Sequence, residues 1–460
     1  MKEIPQLPPG PQGLPFLGNA IDFQRRPLEF LRETQRAYGN MATIHIGNRP
    51  LVLFFRPEHV RYLLMEHPRN FVKGNQRSAL HHFLGDGLLT TEGDFHRQQR
   101  RLVQPAFHKK RVEEYSDIMV QFTREMLDEW QPGTEIDIAR AMQQLTLRII
   151  LKALFNLDSR EQVVMLGNAF NGVINNTPRA FLRTYRPPRL KLPFTQGGKR
   201  VVASRTLDTF VYDLVARRRA AKGHDYGDVL SMLLQAEDEG ITMTDKQIHD
   251  HVLTFIAAGH ETAQNTMSWT FYLLSQHPDV RAKLINELHA VLAGRAPTLA
   301  DLSNLHYLEW VINESWRVYP PAWILGRRSL EAFDLDGYHF PAGTIGLISQ
   351  WVIHNLPDIW GDPENFRPER WSPAAEQKIP QGAYFPFGAG PRICIGMPFA
   401  QLETKLLLAT ILQRYTPNLV PGFPVVIQPR VTIRPQYGMR MTLEPTTAPE
   451  PARMETATVG

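Results

Sequence analysis

Cysteine is almost absent from this 460-residue chain, since Cys394 is the only one. A single thiol excludes an internal disulfide, so we expect no disulfide-stapled secreted scaffold and favour a reducing, cytoplasmic compartment. It also excludes zinc or iron–sulfur cages built from thiolates alone. Two interpretations of Cys394 stay open: a small buried core residue, or a single thiolate with a chemical role.

Long apolar runs are absent as well. The chain has no uncharged apolar stretch of membrane-spanning length, so we expect no transmembrane segment. The N-terminus, MKEIPQLPPGPQGLPFLGN, lacks the apolar run of a signal peptide, and residues 1–20 are interpreted as a proline-rich strap on the surface. Residues 444–460 are small, polar and proline-bearing, which predicts a disordered tail.

The excess of positive charge is small: Lys and Arg number 51 against 46 Asp and Glu, a net charge of +5. Basic residues cluster at 96–101, 216–222 and 326–328. These clusters are either solvated helix faces or sites for an anion or an acidic partner protein. Neither a nucleic-acid motif nor aromatic–basic interleaving occurs, so nucleic acid is not expected as a partner.

The hydrophobic pattern predicts a mainly α fold with small β-sheets (α+β). A first helix is expected over residues 27–40, followed by a hairpin over 41–47 and 50–55. Helical periodicity dominates from about 57 to 320, and strand-like segments return at 333–349 and 431–445. Length alone favours two or three domains.

The clearest single element is a helix over residues 245–276. Thr244 and Gln247 have the spacing of a capping box, and His277–Pro278 ends the helix. Thirty-two residues span ~48 Å, enough to cross a globule. The helix centre reads AAGHET, in which Gly259 costs about 1 kcal/mol relative to alanine and a buried Glu261 needs a partner or protonates. A flaw tolerated by packing is the alternative.

The segment FPFGAGPRICIG surrounds the single cysteine with glycines, which let backbone amides approach a sulfur closely. Amide donors tune the electron density of a thiolate, Arg392 is placed to pair with an acid group of a cofactor, and a helix starting near Met397 points its positive end at the sulfur. A lone thiolate in such a loop is the axial-ligand arrangement of haem-thiolate proteins. The segment resembles the haem-binding signature of the cytochrome P-450 superfamily.

Two further stretches carry the same resemblance. Glu314 and Arg317, in NESWRVYPP, lie on one helix face. They form either an ordinary surface pair or, given their apolar neighbours, a buried one that needs more hydrogen bonds. Arg370, in FRPERW, is a third member, and Trp371 stands where the family usually has phenylalanine. The resemblance implies that the three charged residues form a structural network that holds the cysteine loop under the haem.

The resemblance covers residues 5–443 and so implies one large domain, 1–443, that binds haem b beneath a long central helix. It implies that Glu261 and Thr262 relay protons to bound dioxygen and that the helix opens locally at Gly259. The cofactor-binding residues it implies are Cys394 as iron ligand together with Arg392, Arg100, His96, Arg327, Phe387 and Gly388. His96 stands where most relatives carry tryptophan. The substrate-pocket residues it implies are Ile256, Ala257, Ala322, Trp323 and Ile324, with segments 78–87 and 436–438.

The implied activity is a haem-thiolate monooxygenase that inserts one oxygen atom from O2 into a hydrophobic, lipid-like or terpenoid molecule. The chain has no flavin or dinucleotide domain, because GAGPRICIG lacks the βαβ frame of a nucleotide site. Electrons are therefore expected from a separate ferredoxin or flavodoxin-type protein and its reductase. A peroxide-driven peroxygenase and a non-catalytic haem-thiolate sensor are the alternatives, and the retained acid–threonine pair argues against both.

Overall fold

The computed structural model describes residues 7–73, 81–176, 195–221, 226–238 and 240–447. The helices in chain order are α1 (Ala20–Arg25), α2 (Pro27–Tyr38), α3 (Pro57–Arg61), α4 (His81–Leu84), α5 (Gly93–Val103), α6 (Lys109–Glu113), α7 (Ser116–Asp128), α8 (Ile138–Phe155), α9 (Arg160–Asn176), α10 (Gln196–Ala220), α11 (Val229–Gln235), α12 (Asp245–Gln276), α13 (Pro278–Leu292), α14 (His306–Val318), α15 (Gln350–Ile353), α16 (Pro357–Trp360), α17 (Pro373–Glu376) and α18 (Met397–Leu412). Short 3₁₀ turns lie at Gln104–Phe107, Leu299–Asn304, Pro368–Trp371 and Gly390–Arg392, and a π-helical turn at Tyr62–Glu66.

The strands are short and form small sheets. They are β1 (Met41–Ile46), β2 (Arg49–Phe54), β3 (Phe71–Val72), β4 (Glu135–Asp137), β5 (Glu237–Asp238), β6 (Ile241–Thr242), β7 (Leu325–Ser329), β8 (Phe333–Leu335), β9 (Tyr338–Phe340), β10 (Ile345–Ile348), β11 (Tyr415–Leu419), β12 (Ile427–Pro429), β13 (Ile433–Pro435) and β14 (Arg440–Pro445). The largest sheet has the order β1-β2-β10-β7-β3, in which only β10 and β2 run parallel. This confirms the predicted mainly α fold with small sheets.

The predicted long helix is confirmed as α12. Its N-terminus has the capping box: the Thr244 hydroxyl accepts from the Gln247 amide, and the Gln247 side chain accepts from the Thr244 amide. The helix ends before His277. Its centre is buried on most sides because α8, α10, α14 and α18 pack around it. No helix in the part of the chain that the structure describes is long and apolar enough to cross a membrane.

The local opening expected at Gly259 is absent, because α12 is a continuous α-helix through this residue. A Cβ at Gly259 would lie 2.6 Å from Ile150 Cδ1 of α8. The glycine therefore lets α12 and α8 approach closely, and its place beside the cofactor stays a prediction.

Two hydrophobic cores meet at the cysteine loop. One surrounds α12 and includes α7, α8, α14 and α18, and the other fills the space between the five-stranded sheet and α1–α2. Phe385 belongs to the sheet core, whereas Phe387 and Ile395 pack against the helical core. The loop is thus clamped between the two parts of the fold.

The structure describes part of each chain end. The described part of the strap, residues 7–20, runs beside β1, where the Thr43 amide donates to the Pro9 carbonyl. Strand β14 continues through Glu444 to Pro445, so the first two residues of the predicted tail belong to a strand. Residues 1–6 and 448–460 lie outside the described residues.

Candidate active site

The loop around Cys394 is built to present its sulfur to backbone donors. The Cys394 amide donates to the Phe387 carbonyl at 2.9 Å and closes the loop. Gly388 has φ 74°, and Gly390, at φ 67°, packs so closely on the Leu64 carbonyl that a side chain has no room. Phe387 packs edge-on against Trp316, with ring centroids 4.9 Å apart. The loop geometry is therefore fixed from several sides.

The environment of the sulfur is suited to a metal-bound thiolate. Burial raises the pKa of the Cys394 thiol, while the amides of Gly396 and Met397 and the charges of Arg100 and Lys73 act in the opposite direction. The Sγ atom remains accessible at the surface of the site. Without a metal the thiol stays protonated at neutral pH, and binding to a cation would release its proton.

Cationic side chains gather beside this loop. Arg100, on α5, donates to the Ile393 carbonyl at 2.9 Å. Arg392 Nη2 donates to the Thr91 carbonyl at 2.6 Å and contacts Glu92 at 3.1 Å. Arg327 lies buried on β7, and Lys73 follows β3.

Burial lowers the pKa of each of these groups, and neighbouring cations lower the pKa of Lys73, Arg327 and Arg392 further. The pKa of Arg327 falls to about 10, first through burial and then through the charge of Arg392. The pKa of Lys73 falls well below its usual value through burial and then through Arg392 and Arg327. The pKa of His96 falls to about 3, first through burial and then through Arg392 and Lys73, so this histidine is neutral and keeps one N–H donor.

This cluster fits the propionates of a haem. Glu92 is the carboxylate whose charge raises the pKa values of Lys73, Arg327 and Arg392, whereas the charge that acts on Arg100 is that of Cys394. Arg392 Nη1 is buried and has no hydrogen-bond partner. A buried, unpaired guanidinium nitrogen is costly, and two carboxylates beside it would remove both the orphaned donor and the excess positive charge. The residues present therefore fit the expected cofactor.

The two predicted proton-relay residues are adjacent in α12, but their side chains have different partners. The Thr262 hydroxyl donates to the Ala258 carbonyl at 2.8 Å, and both residues are accessible. The buried Glu261 carboxylate accepts from the Thr432 hydroxyl at 2.7 Å. Burial raises the pKa of Glu261, although the Thr432 hydrogen bond opposes the shift.

Glu314, Arg317 and Arg370 form the predicted buried network. Arg317 Nε and Nη2 reach the two oxygens of Glu314 at 2.9 and 2.8 Å, and Arg370 Nε donates to Oε1 at 3.2 Å. The Arg367 amide and the Trp371 indole complete five hydrogen bonds to this carboxylate. The interpretation as an ordinary surface pair is therefore excluded, since Glu314 and Arg317 are fully buried.

A histidine connects this network to the cysteine loop. The carbonyl of His354 accepts from Arg317 Nη1 at 2.9 Å, and its Nε2 accepts from the Phe385 amide at 3.0 Å. Burial lowers the pKa of His354 to about 3, so Nε2 stays available as an acceptor. The start of the cysteine loop is thus held by the network.

The predicted substrate pocket is only partly supported by accessibility. Ala257, Ala322 and Ile324 are half-buried, but Ile256 is fully buried in the helical core. Trp323 is 3% exposed and donates its indole N–H to the Arg430 carbonyl. Both side chains are buried in this structure, and their contact with a substrate stays a prediction. Ala258 is the accessible residue of this stretch of α12. Residues 78–80 of the predicted pocket loop lie outside the described residues.

Sequence reasoning missed Lys73, Glu92, Thr432 and His354. Each acts through a partner more than fifteen residues away, such as Thr432 with Glu261 or Lys73 with the Leu89 carbonyl. Local patterns of hydrophobicity and charge carry no signal for such contacts.

Known proteins with similar sequences and structures point in one direction. A model of the cytochrome P-450 family matches residues 8–438. Cyclooctat-9-en-7-ol 5-monooxygenase of Streptomyces melanosporofaciens is 36% identical over 416 residues, covering 90% of each chain. Pentalenene oxygenase of Streptomyces avermitilis is 34% identical over 429 residues, covering 92% of each.

A solved structure agrees with these sequences. A cyanobacterial cytochrome P-450 with bound retinoic acid superposes with a TM-score of 0.86 at 26% identity, covering 96% of this chain and 100% of the other. The family match spans nearly the whole chain, and the cationic cluster beside Cys394 fits the cofactor of that family. The chain belongs to the cytochrome P-450 family, and its cofactor is haem b.

Proposed function

We propose that this cytochrome P-450 monooxygenase oxygenates a cyclic terpenoid and receives its electrons from an acidic ferredoxin-type protein. The observation that carries the proposal is the arrangement of the site. A single thiol held by loop amides lies beside four cationic side chains, and an acid–threonine pair lies in the centre of α12. Haem b, when bound, supplies the activation of O2 and the transfer of one oxygen atom.

The residues that hold the cofactor have separate tasks in this proposal. Cys394 would ligate the iron, and the Gly396 and Met397 amides would moderate the charge on its sulfur. Arg100, Arg327 and Arg392 would bind the propionates, with neutral His96 as a further donor. The Glu314 network holds the loop and does not react.

Proton supply is assigned to Glu261 and Thr262. In the structure neither side chain is free: Thr262 donates to the Ala258 carbonyl, and Glu261 accepts from Thr432. To pass on a proton, the Thr262 hydroxyl would have to turn away from the Ala258 carbonyl. The raised pKa of Glu261 favours the protonated form of its carboxyl, as a proton donor requires.

A terpenoid substrate is supported by the relatives and by the chemistry of the accessible residues. Two of the similar enzymes are named for terpenoids, and the similar solved structure holds an isoprenoid acid. Ala257 and Ala258 are accessible or half-buried apolar residues that precede the relay in α12, and Ala322 and Ile324 are half-buried. Small apolar walls favour a compact hydrocarbon held by shape.

An acidic electron carrier is supported by the outer face of α5. Arg97 and Arg101 are exposed on this face, while Arg100 on the inner face contacts the cysteine loop. Lys109 and Lys110 extend the basic surface along α6. Because this surface lies directly outside the thiolate loop, a carrier bound here would be close to the haem, and electrostatic attraction would speed its encounter.

Reconstitution tests the proposal against both alternatives. Holoenzyme is supplied with NADPH, a ferredoxin reductase and a surrogate ferredoxin, and is offered cyclic sesquiterpenes and diterpenes, with fatty acids of equal carbon number as controls. We expect spectral binding and oxygenated product with the cyclic hydrocarbons. Product formed with hydrogen peroxide alone would favour a peroxygenase. The absence of product both with the NADPH-driven ferredoxin system and with hydrogen peroxide would favour a sensor.

The partner surface has its own test. Lys109→Glu together with Lys110→Glu should lower the rate of reduction by the ferredoxin, and the difference should shrink as salt is added. Lys199→Glu together with Arg205→Glu, an equal charge reversal at two exposed positions of α10, is the control. Equal rates for the two variants would contradict an acidic partner at α5–α6.

A further inference from the structure

The Glu261 carboxylate is held by a chain of hydrogen bonds that leaves α12. Thr432, in the turn between β12 and β13, donates to Glu261 Oε1 at 2.7 Å. Asn265, one helical turn after Glu261, donates from Nδ2 to the same Thr432 hydroxyl at 3.0 Å. Thr432 and Asn265 are buried, and Glu261 is 8% exposed. The threonine hydroxyl therefore accepts on one side and donates on the other, which fixes the direction of its single proton.

The turn that carries Thr432 is itself tied down on three sides. The Trp323 indole donates to the Arg430 carbonyl at 3.0 Å, and the Trp269 indole of α12 donates to the Ile433 carbonyl at 3.3 Å. The Ile433 amide donates to the Pro321 carbonyl at 3.0 Å. These bonds leave the Thr432 hydroxyl little freedom, so its position relative to Glu261 is set by the fold.

The same anchors connect the turn to the segment that follows α14. Pro321 and Trp323 flank Ala322, one of the half-buried residues in the substrate region. A displacement of this segment by a ligand would be transmitted to residues 430–433 through two direct hydrogen bonds. A continuous series of hydrogen bonds and chain neighbours thus connects the segment around Ala322 with Glu261, the proposed proton donor.

Resting on the proposed function, we infer that Thr432, oriented by Asn265, is a positioning residue that sets the direction of the Glu261 carboxyl and thereby controls proton supply to Thr262. While Thr432 donates to it, the carboxylate is turned towards the β12–β13 turn. It becomes available to Thr262 when that bond lengthens. Glu261 alone touches the relay, and Thr432 acts through it.

Electrostatics support a controlling role for this turn. The Thr432 hydrogen bond and the charge of Arg434, on β13, both favour ionised Glu261, whereas burial favours the neutral acid and prevails. Arg434 is itself fixed by Gln428, to whose Oε1 its Nε donates at 3.0 Å. One element therefore supplies both groups that favour the charged carboxylate.

The test compares three variants of the holoenzyme. Thr432→Val removes the hydroxyl at nearly constant volume, Thr432→Ser keeps a hydroxyl, and Thr123→Val removes a buried hydroxyl that bonds only within its own helix. The Glu261 carboxyl is followed by infrared spectroscopy during a pH titration, with Glu261→Gln as the subtraction reference. We expect the titration midpoint to shift upwards in Thr432→Val and to return towards the wild-type value in Thr432→Ser.

Turnover supplies the second measurement. The fraction of electrons recovered in product should fall in Thr432→Val, recover in Thr432→Ser and stay unchanged in Thr123→Val. An unshifted infrared midpoint in Thr432→Val would overturn the inference, as would a loss of coupling that serine does not restore. The proposed function fails separately: if Glu261→Gln leaves coupling unchanged, the relay itself is wrong, whatever Thr432 does to the carboxyl.

Discussion

Replacing Trp371 by phenylalanine tests how strongly the buried network depends on each of its donors. The Trp371 indole donates to Glu314 Oε2 at 3.0 Å, and this carboxylate has four other donors. Phenylalanine is the usual residue of the family at this position, so the substitution keeps an aromatic ring but deletes one charge-assisted hydrogen bond.

The expected cost has two parts. A hydrogen bond to a buried charged acceptor contributes ~1.5–3 kcal/mol. The smaller ring leaves a gap of roughly 40 Å³, which adds ~1 kcal/mol at about 24 cal/mol per Å³. Because Glu314 keeps its bonds to Arg317 and Arg370, its charge is not stranded, and the sum should lie near the lower end, ~2.5 kcal/mol.

Trp360→Phe is the matched control. Trp360 is buried in the same small cluster, and its indole donates at 3.0 Å to the neutral carbonyl of Ile353. The same gap and a neutral hydrogen bond of ~1 kcal/mol predict a total of ~2 kcal/mol. Urea unfolding of the holoenzymes, monitored by far-UV dichroism and by the haem band, should therefore give the larger loss for Trp371→Phe. A smaller or equal loss would refute the argument that the Glu314 charge makes the difference.

Three further outcomes are expected. Thr262→Ala should keep the spectrum of the wild-type carbon-monoxide complex but divert electrons to hydrogen peroxide; unchanged coupling would remove Thr262 from proton delivery. Lys73→Met should speed the transfer of haem to apomyoglobin about tenfold, equivalent to ~1.4 kcal/mol, whereas Lys73→Arg should not; equal rates would exclude Lys73 from propionate binding. His249 contacts Asp250 at 2.9 Å and lies 3.3 Å from Asp208; burial lowers its pKa, but the two carboxylates outweigh burial and raise it above 6.5. The contacts of His249 with the two carboxylates thus stabilise the fold fully below the ordinary pKa of 6.5 and lose this contribution as the pH rises through the raised pKa. The melting temperature of the wild type should therefore fall more than that of Asp208→Asn as the pH is raised above 6.5, and parallel curves would contradict the pairing.

Elements with a local signature were predictable from the sequence. The capping box at Thr244 and Gln247 and the proline after His277 define α12, because each lies within a few residues of the helix end that it determines. The cysteine loop was equally readable, since its glycines are needed for backbone geometry within the loop itself. The spacing of Glu314 and Arg317 likewise encodes one helix face.

The orientation of a helix and the identity of a distant partner could not be predicted from the sequence. Ile256 and Ala258 are two residues apart, yet 100° of rotation per residue puts one in the core and the other in the site. A glycine at position 259 fits either a local opening of α12 or close packing of α12 on a neighbouring helix. The sequence does not show that Ile150 of α8 lies against it. Thr432 reaches Glu261 across 171 positions of chain, which no local pattern encodes.

The ligand at the iron is the central claim, and one measurement tests it most directly. The reduced carbon-monoxide complexes of the wild type, Cys394→Ala and Cys394→His are compared at equal haem content. The account predicts the long-wavelength Soret band typical of thiolate ligation in the wild type and its complete loss in both variants, with haem still bound in Cys394→His. A Soret band of unchanged position in Cys394→Ala would show that another atom holds the iron.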